Sequence, residues 1–260
     1  GRRPTYYSQY FRYIPCINHE EYLEYLEKVL KIAVVEVKAD LLFFDNYGYY
    51  SLTCNCDACK ERFRMYLMEK YPTEEARKER FGFADVSHID PPPFRSAPVD
   101  PFLPYEADRT ATVDPVEQEW IDFRCHRLGE VSKRINNFIK GLNPDTAVSW
   151  NAPYVGPIML NDAMFHGVWP VQIYPHNDNL CAECAYYPKL NVEEEVLESR
   201  IPYFKIGRAF HQGVIVHRFK GYDPLGLAES MAYGQHPFDA IGTLLIEKVE
   251  PSVVRYIQFY

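Results

Sequence analysis

Three cysteines stand close together in this chain, at Cys54, Cys56 and Cys59. A C-x-C-x-x-C turn is short enough to aim three sulfurs at one point, and Zn²⁺ binds four thiolates in a closed tetrahedral structural site. Cys16 is the best upstream candidate for the fourth ligand, because it also precedes a helix-like segment. The spacing therefore predicts a structural Zn²⁺ site that stabilises loops and has no open position for chemistry. Unpaired buried thiols are the alternative.

A second pair of cysteines, Cys181 and Cys184, brackets Glu183 in a C-x-x-C spacing. This spacing is compatible with a second metal site or a redox pair. Because no third and fourth ligand stand nearby in the sequence, packed thiols are the favoured interpretation.

Composition limits the class of protein. The chain has 260 residues, 47% of them hydrophobic and 15% aromatic, which is enough for one large domain with a core. The net charge is −8 and no Lys/Arg run stands out, so a nucleic-acid partner is not expected. No apolar stretch reaches the roughly 20 residues of a membrane helix. The chain has seven cysteines, an odd number, and their clustering favours metal binding over a disulfide framework. This predicts a reducing, cytoplasmic location.

The elements that must position these residues alternate along the chain. Strand-like apolar runs and helical patterns follow one another in the order typical of a parallel α/β sheet or barrel. The predicted helices cover 20–37, with Asn18 as a cap, 59–71, 117–142 and 195–210. The predicted strands cover 39–44, 147–150, 179–183 and 214–217. Three segments are less regular: an apolar stretch over 167–174, a last strand or helix start over 225–232, and a proline-rich excursion over 90–104.

The segment Asp45-Asn46-Tyr47-Gly48, followed six residues on by the cysteine motif, resembles the fourth-strand region of glycoside hydrolase family 42 β-galactosidases. Further similar positions are Tyr13-Ile14-Pro15-Cys16, Phe63, Tyr66, Leu67, Tyr71, Trp120-x-x-Phe123-Arg124, Asn143-Pro144-Asp145 and a strand ending at Asn151. The resemblance implies a four-cysteine zinc site with Cys16 as the upstream ligand. It also implies a (β/α)8 TIM barrel with a carbohydrate site at the carboxyl ends of the strands, and a homo-oligomer.

One position departs from that family. The family reads Asp-Asn-Glu-Tyr-Gly, where the Glu is the general acid/base, but Asn46 is followed here by Tyr47. The chain more closely resembles a related group of barrel proteins that carry a Glu on a later strand, matched by Glu183. Hydrolysis of a glycosidic bond uses two carboxyl groups about 5 to 10 Å apart, and Asp45 and Glu183 are the expected pair.

The two carboxylates have different expected roles. Asp45 beside Asn46 is the expected nucleophile, since it can stay ionised, and Glu183 among apolar neighbours is the expected acid/base. Helix capping, a salt bridge or simple binding of sugar hydroxyls are the alternatives for both. The residues expected to contact the substrate are Asn46, Tyr47, Trp150, Asn151, His217, Arg218 and Glu229. For His217, Arg218 and Glu229, a local ion pair between loops is equally compatible with the sequence.

The predicted barrel is incomplete within residues 1–260. The segment before Asp45 supplies at most one strand, and half a barrel would expose a long edge. The helical pattern over 253–260 also breaks off at the end of the chain. We therefore expect a partial TIM-barrel domain whose missing units come from a longer polypeptide or another chain. Three functions stay open: a glycoside hydrolase, a carbohydrate-binding barrel without catalysis, and a zinc-stapled structural or assembly subunit.

Overall fold

A computed structural model describes residues 15–45, 48–49, 54–92, 114–151, 163, 166–183, 189–199, 201–217, 224–234 and 236–237. The helices are α1 (Glu20–Lys31), α2 (Asp57–Lys70), α3 (Glu74–Phe81), α4 (Pro115–Leu142), α5 (Pro170–Ile173), α6 (Ile201–Ala209) and α7 (Pro224–Ala232). The strands are β1 (Leu41–Asp45), β2 (Ala147–Asn151), β3 (Asn179–Glu183), β4 (Lys189–Asn191), β5 (Val196–Glu198), β6 (Gly213–His217) and β7 (His236–Pro237). These elements form two compact units.

The first unit is helical and contains α1 to α5. Its longest element, α4, begins where Asp114 accepts hydrogen bonds from the backbone N–H groups of Val116 and Glu117, with Pro115 in the first turn. A buried apolar cluster joins α2, α3 and α4; its members are Cys59, Phe63, Leu67, Phe81, Val86, Trp120 and Phe123. The half-buried Cys16, Cys54 and Cys56 pack against this cluster, so the cysteine loop rests on the core of the unit.

A buried carboxylate links the same three helices. The side chain of Glu119 on α4 is 3% exposed, and it accepts hydrogen bonds from Lys70 Nζ over 2.7 Å, Tyr71 Oη over 2.7 Å and Arg80 Nε over 3.0 Å. Lys70 also contacts the exposed Asp122 over 3.0 Å. Burial alone would destabilise this carboxylate, but three hydrogen-bond donors compensate for the lost contact with water. Glu119 therefore has a structural role that joins the three helices.

The predicted helix over 20–37 is confirmed with a change at its end. After α1 the backbone continues as a π-helical turn over Ile32–Glu36. The capping role predicted for Asn18 is wrong, because His19 is the cap residue of α1 and makes no side-chain cap hydrogen bond. The predicted helices over 59–71 and 117–142 correspond to α2 and α4. The apolar segment over 167–174 contains α5 and begins the 3₁₀ turn Tyr174–His176.

The second unit contains the strands. Five of them form one sheet in the order β1-β2-β3-β6-β7, and every pairing in it is parallel. The predicted strands over 39–44, 147–150, 179–183 and 214–217 correspond to β1, β2, β3 and β6, so the parallel α/β prediction is confirmed. The described strands form an open sheet and not a closed barrel. The short β4 and β5 form a separate antiparallel hairpin.

Helix α6 packs directly on this sheet. A Cβ atom on Gly207 would come within 2.2 Å of Val214 Cγ2, so only glycine permits this approach of α6 to β6. The predicted helix over 195–210 is wrong at its start. Glu195 has a φ of 53° in the turn before β5, and the helix begins only at Ile201. The segment over 225–232, left open between strand and helix, belongs to α7.

Parts of the sequence predictions fall outside the described residues. The proline-rich stretch is described only over 90–92, where it forms neither helix nor strand, and residues 253–260 are not described. In the described part of the chain, no helix has the length and apolar character needed to cross a bilayer.

Candidate sheet-edge site and metal centre

Asp45 and Asn151 lie side by side at the carboxyl edge of the parallel sheet. They are the last residues of β1 and β2 and are paired in register. Asn151 Nδ2 donates a hydrogen bond to Asp45 Oδ1 over 3.0 Å. Asn151 is 3% exposed, whereas Asp45 is exposed. The Asp45 carboxylate is therefore exposed to solvent and is held by a buried amide donor. The carboxyl edge of a parallel sheet is the usual location of binding and catalytic groups.

The residues just before this pair anchor the two strand ends. Phe44 and Trp150 are paired in register and stack with ring centroids 4.8 Å apart. Trp150 is 1% exposed. This arrangement favours a core role for Trp150 over the predicted contact with the substrate. Because side chains alternate along a strand, the stacked pair and the Asp45–Asn151 pair lie on opposite faces of the sheet.

The backbones of Glu183 and His217 lie at the same carboxyl edge of the sheet as Asp45 and Asn151. Asn151 is in register with Cys181, and Glu183 is two residues farther along β3, paired with His217 of β6. Each of the predicted residues Asp45, Asn151, Glu183 and His217 therefore ends its strand at the same edge of one sheet.

Other predicted contact residues lie elsewhere. Glu229 is on α7 and not at a strand end, and its Oε1 accepts a hydrogen bond from Ser199 Oγ. This contact pairs Glu229 with a serine, and it tests neither the predicted substrate contact nor the alternative of an ion pair between loops. Asn46, Tyr47 and Arg218 lie outside the described residues, as does Cys184. Cys181 is buried and forms no disulfide, which agrees with a packed thiol.

The four cysteines predicted as metal ligands meet in the helical unit. The sulfurs of Cys16, Cys54, Cys56 and Cys59 all lie within 4.8 Å of one another. Cys16 Sγ is 3.3 Å from Cys59 Sγ and 3.6 Å from Cys56 Sγ, and none of the four forms a disulfide. Four thiolates on a tetrahedral Zn²⁺ at about 2.3 Å would stand about 3.8 Å apart. The cluster is therefore within metal-binding distance, and Cys16 is its upstream member, as predicted.

Hydrogen bonds among the clustered cysteines shift the pKa values of Cys16, Cys54 and Cys59 in different directions. Hydrogen bonds from Cys16 and Cys59 lower the pKa of Cys54 to about 2. Hydrogen bonding to Cys54 and burial raise the pKa of Cys16 to about 12, and the pKa of Cys59 is also raised, first by its hydrogen bond to Cys16. Several thiolates cannot share this space unless a cation balances their charge. A divalent ion would supply that charge.

Asn18 stands behind the cysteine cluster, a position that sequence reasoning missed. It is 1% exposed, and its Nδ2 donates a hydrogen bond to Cys59 Sγ over 3.3 Å. The sequence offered only its place two residues after Cys16 as a signal, and that place also suits a helix cap.

A buried group of aromatic and basic side chains lies in the same unit. The Arg124 guanidinium is 5.7 Å from the Tyr49 ring centroid and 5.9 Å from that of Trp120. Burial lowers the pKa of Arg124 to about 10, and burial followed by the charge of Arg124 lowers the pKa of His166 to about 4. His166 is therefore neutral near pH 7. Its backbone oxygen accepts a hydrogen bond from the Tyr49 N–H over 2.9 Å.

Comparison of the sequence with protein-family models and with curated proteins gives no match. Comparison of the fold with solved structures does. The β-galactosidase of Bacillus circulans sp. alkalophilus superposes with a TM-score of 0.58 at 17% identity, over 86% of this chain and 35% of that one. Gan42B, a GH42 β-galactosidase of G. stearothermophilus, superposes with a TM-score of 0.56 at 18% identity, over 85% and 34%.

The likeness extends to a third enzyme. The catalytic domain of β-amylase from Paenibacillus polymyxa has a TM-score of 0.53 at 12% identity, over 84% of this chain and 61% of that one. The resemblance to the fold of GH42 β-galactosidases is thus confirmed as an α/β fold with a parallel sheet, and the closed (β/α)8 barrel that it implies stays a prediction. The chain spans about a third of the length of the two β-galactosidases it matches.

Proposed function

We propose that this chain forms part of a glycoside hydrolase whose carboxylate pair is Asp45 and Glu183. The observation that carries the proposal is the exposed carboxylate of Asp45 at the carboxyl edge of the sheet, held by Asn151 Nδ2. The solved structures of similar fold include two β-galactosidases and a β-amylase, which supports carbohydrate as the substrate class. Location in the cytoplasm, the absence of a nucleic-acid partner, the homo-oligomer and the supply of further strand-helix units stay predictions.

The backbone register supports this pair. One strand, β2, lies between β1 and β3, so the Cα atoms of Asp45 and Glu183 are separated by about 10 Å across the sheet and about 7 Å along it. Asp and Glu side chains are long enough to bring carboxyl groups on such backbones into the range of about 5 to 10 Å that glycosidases use. A separation near 5 Å would make the enzyme retaining, and one of about 6.5 to 9.5 Å would make it inverting.

The proposed chemistry assigns one step to each residue. Glu183 gives a proton to the leaving glycosidic oxygen while the ionised Asp45 attacks the anomeric carbon and forms a glycosyl ester. Water then cleaves the ester with Glu183 acting as the base. Asn151 keeps one oxygen of Asp45 fixed through its hydrogen bond, which orients the carboxylate at the edge of the sheet.

The test uses the longest natural polypeptide that contains this chain, with aryl β-galactosides and aryl glucosides as substrates. Asp45→Asn and Glu183→Gln should each abolish turnover, while Asp40→Asn and Glu193→Gln remove exposed carboxylates elsewhere and should leave it unchanged. Azide should restore turnover of an activated aryl glycoside by Glu183→Gln through a glycosyl azide product. Full activity of both carboxylate variants would refute the assignment.

A carbohydrate-binding barrel without catalysis is the second candidate. The observation that favours it is the sequence Asp45-Asn46-Tyr47, which lacks the glutamate of the GH42 motif. Calorimetry with galacto-oligosaccharides distinguishes the two functions. Binding that survives in both Asp45→Asn and Glu183→Gln, with no turnover by the parent protein, would select the binding function.

We further propose that the ion of the cysteine cluster is a structural Zn²⁺. The donor set of four sulfurs fits this soft-to-borderline cation, and four protein ligands leave no position for substrate or water. Its role is to hold the segment around Cys16 against the start of α2. Elemental analysis should give one zinc per chain. If the sheet-edge site has no activity, the expected function is that of a structural or assembly subunit stabilised by zinc.

A further inference from the structure

Asn18 connects the cysteine cluster to two side chains that are not ligands. Its Nδ2 faces Cys59 Sγ at 3.3 Å, while its Oδ1 accepts hydrogen bonds from Arg127 Nε over 3.2 Å and Tyr49 Oη over 3.4 Å. Arg62 Nε donates to the backbone oxygen of Asn18 over 3.0 Å. All polar groups of this side chain are therefore engaged in a site that is 1% exposed.

The contacts fix which way the amide points. A guanidinium can only donate, so the atom of Asn18 that faces Arg127 must be the oxygen. The nitrogen is then turned towards Cys59, which is fully buried and beyond the reach of water. An N–H donor at a buried thiolate stabilises its negative charge and fixes the direction of its lone pairs.

We propose that Asn18 is a positioning residue of the metal centre: it orients the Cys59 sulfur through its amide N–H, and Arg127 and Tyr49 hold that amide in place. The cationic Arg127 adds a second contribution, because it polarises the Asn18 amide and lies near a centre in which four thiolates would exceed the charge of a divalent ion. Outer contacts of this kind typically change metal affinity by about 10- to 100-fold.

Asn18→Asp removes the N–H donor and adds a negative charge. Aspartate keeps the oxygen that faces Arg127 and Tyr49 but has no N–H for Cys59. The matched control is Asn55→Asp, which puts the same charge on an exposed residue between two ligands. Competition against a chromophoric chelator should give a Zn²⁺ dissociation constant raised about 10- to 100-fold in Asn18→Asp and less than about 3-fold in Asn55→Asp. Equal losses in the two variants would mean that charge alone acts, which would overturn the proposal.

Two further measurements keep the proposal testable if Asn18→Asp does not fold. Tyr49→Phe removes one donor from Asn18 Oδ1 and should accelerate zinc transfer to the chelator by about 2- to 10-fold, the cost of one hydrogen bond. In the unaltered protein loaded with ¹¹³Cd²⁺, the side-chain amide protons of Asn18 should show scalar coupling to the metal across the Cys59 sulfur. An unchanged transfer rate together with no coupling would refute the role of Asn18.

Discussion

Asn151 Nδ2 and Asp45 Oδ1 are 3.0 Å apart and join the last residues of two neighbouring parallel strands. The amide is buried and the carboxylate is exposed, so the hydrogen bond orients the Asp45 carboxylate from its buried side. This relationship gives the carboxyl edge of the sheet a defined polar group.

Asn151→Ala should lower turnover of aryl glycosides about 10- to 100-fold, because a hydrogen bond to a charged group contributes about 1.5 to 3 kcal/mol. Asp45→Asn should lower it by about 10⁴-fold or more, as loss of a nucleophile does. Steady-state kinetics of the two variants give the comparison. A KM that rises with an unchanged kcat in Asn151→Ala would indicate that Asn151 binds the sugar instead of orienting Asp45.

Removal of the metal should destabilise the helical unit. A strong chelator should lower the melting temperature, and added Zn²⁺ should restore it, since ion binding that occurs only in the folded state adds to the free energy of unfolding. Cys59→Ser should reproduce the loss and abolish the response to Zn²⁺. Cys125→Ser is the control, because Cys125 is also buried but is not one of the four clustered cysteines. If the chelator left the melting temperature of the parent protein unchanged, the proposal of a structural metal would be wrong.

Glu119→Gln should lower the free energy of unfolding by about 3 kcal/mol, because it removes the charge that Lys70 and Arg80 share in a buried position. Asp122→Asn is the matched control: Asp122 contacts the same lysine from an exposed position and should cost less than about 1 kcal/mol. Chemical denaturation measures both values. Comparable losses in the two variants would show that burial of Glu119 is unimportant.

Acid should also lower the free energy of unfolding by protonating Glu119. Burial alone raises the pKa of this carboxyl, but the hydrogen bonds from Lys70 and Tyr71 and the charge of Lys70 outweigh burial, so the pKa lies below its ordinary value of 4.5. Its contribution to stability is thus complete above pH 4.5 and is lost as the pH falls through the lowered value. In Glu119→Gln, the dependence of unfolding free energy on pH below 4.5 should become shallower.

A different pH window belongs to His166. Burial lowers its pKa from 6.5 to about 4, so between these values the unfolded chain binds a proton that the folded chain does not. Stability should therefore fall as the pH drops from about 6.5 towards 4, by about 3 kcal/mol in total for this group. NMR titration of the imidazole checks the pKa directly. His166→Gln should reduce the slope of stability against pH between about 6.5 and 4, and an unchanged slope in this variant would contradict the role of His166.

The fold and the candidate sites could be predicted from the sequence where a short segment carries both an apolar pattern and a residue type with a specific chemistry. Four strands and three helices follow from apolar periodicity, and Asp45 and Asn151 could be placed at strand ends because polar residues directly follow apolar runs. The four cysteines could be grouped because three of them lie within six residues. These features depend on short stretches of chain.

Features that depend on distant partners could not be predicted in this way. Asn18 reads as a helix cap, and its engagement by Arg127 joins residues 109 positions apart. Strand β5 falls within the helix predicted over 195–210, because a strand of only three residues is too short to show a period of its own and its pairing with β4 lies outside the predicted segment. The left-handed backbone of Glu195 and the hydrogen bond from the Glu194 N–H to Asn191 Oδ1 form the turn between the two strands.

The separation of Cys16 from Cys59 has a consequence for the unfolded chain. A metal held by both residues would close a loop across 43 positions, and closing such a loop restricts the denatured ensemble by about 4 kcal/mol on a chain-entropy scale. Strand β1, with Asp45 at its end, lies within that loop in the sequence. An ion without an open coordination site would thereby shorten the conformational search of the segment that carries the proposed nucleophile.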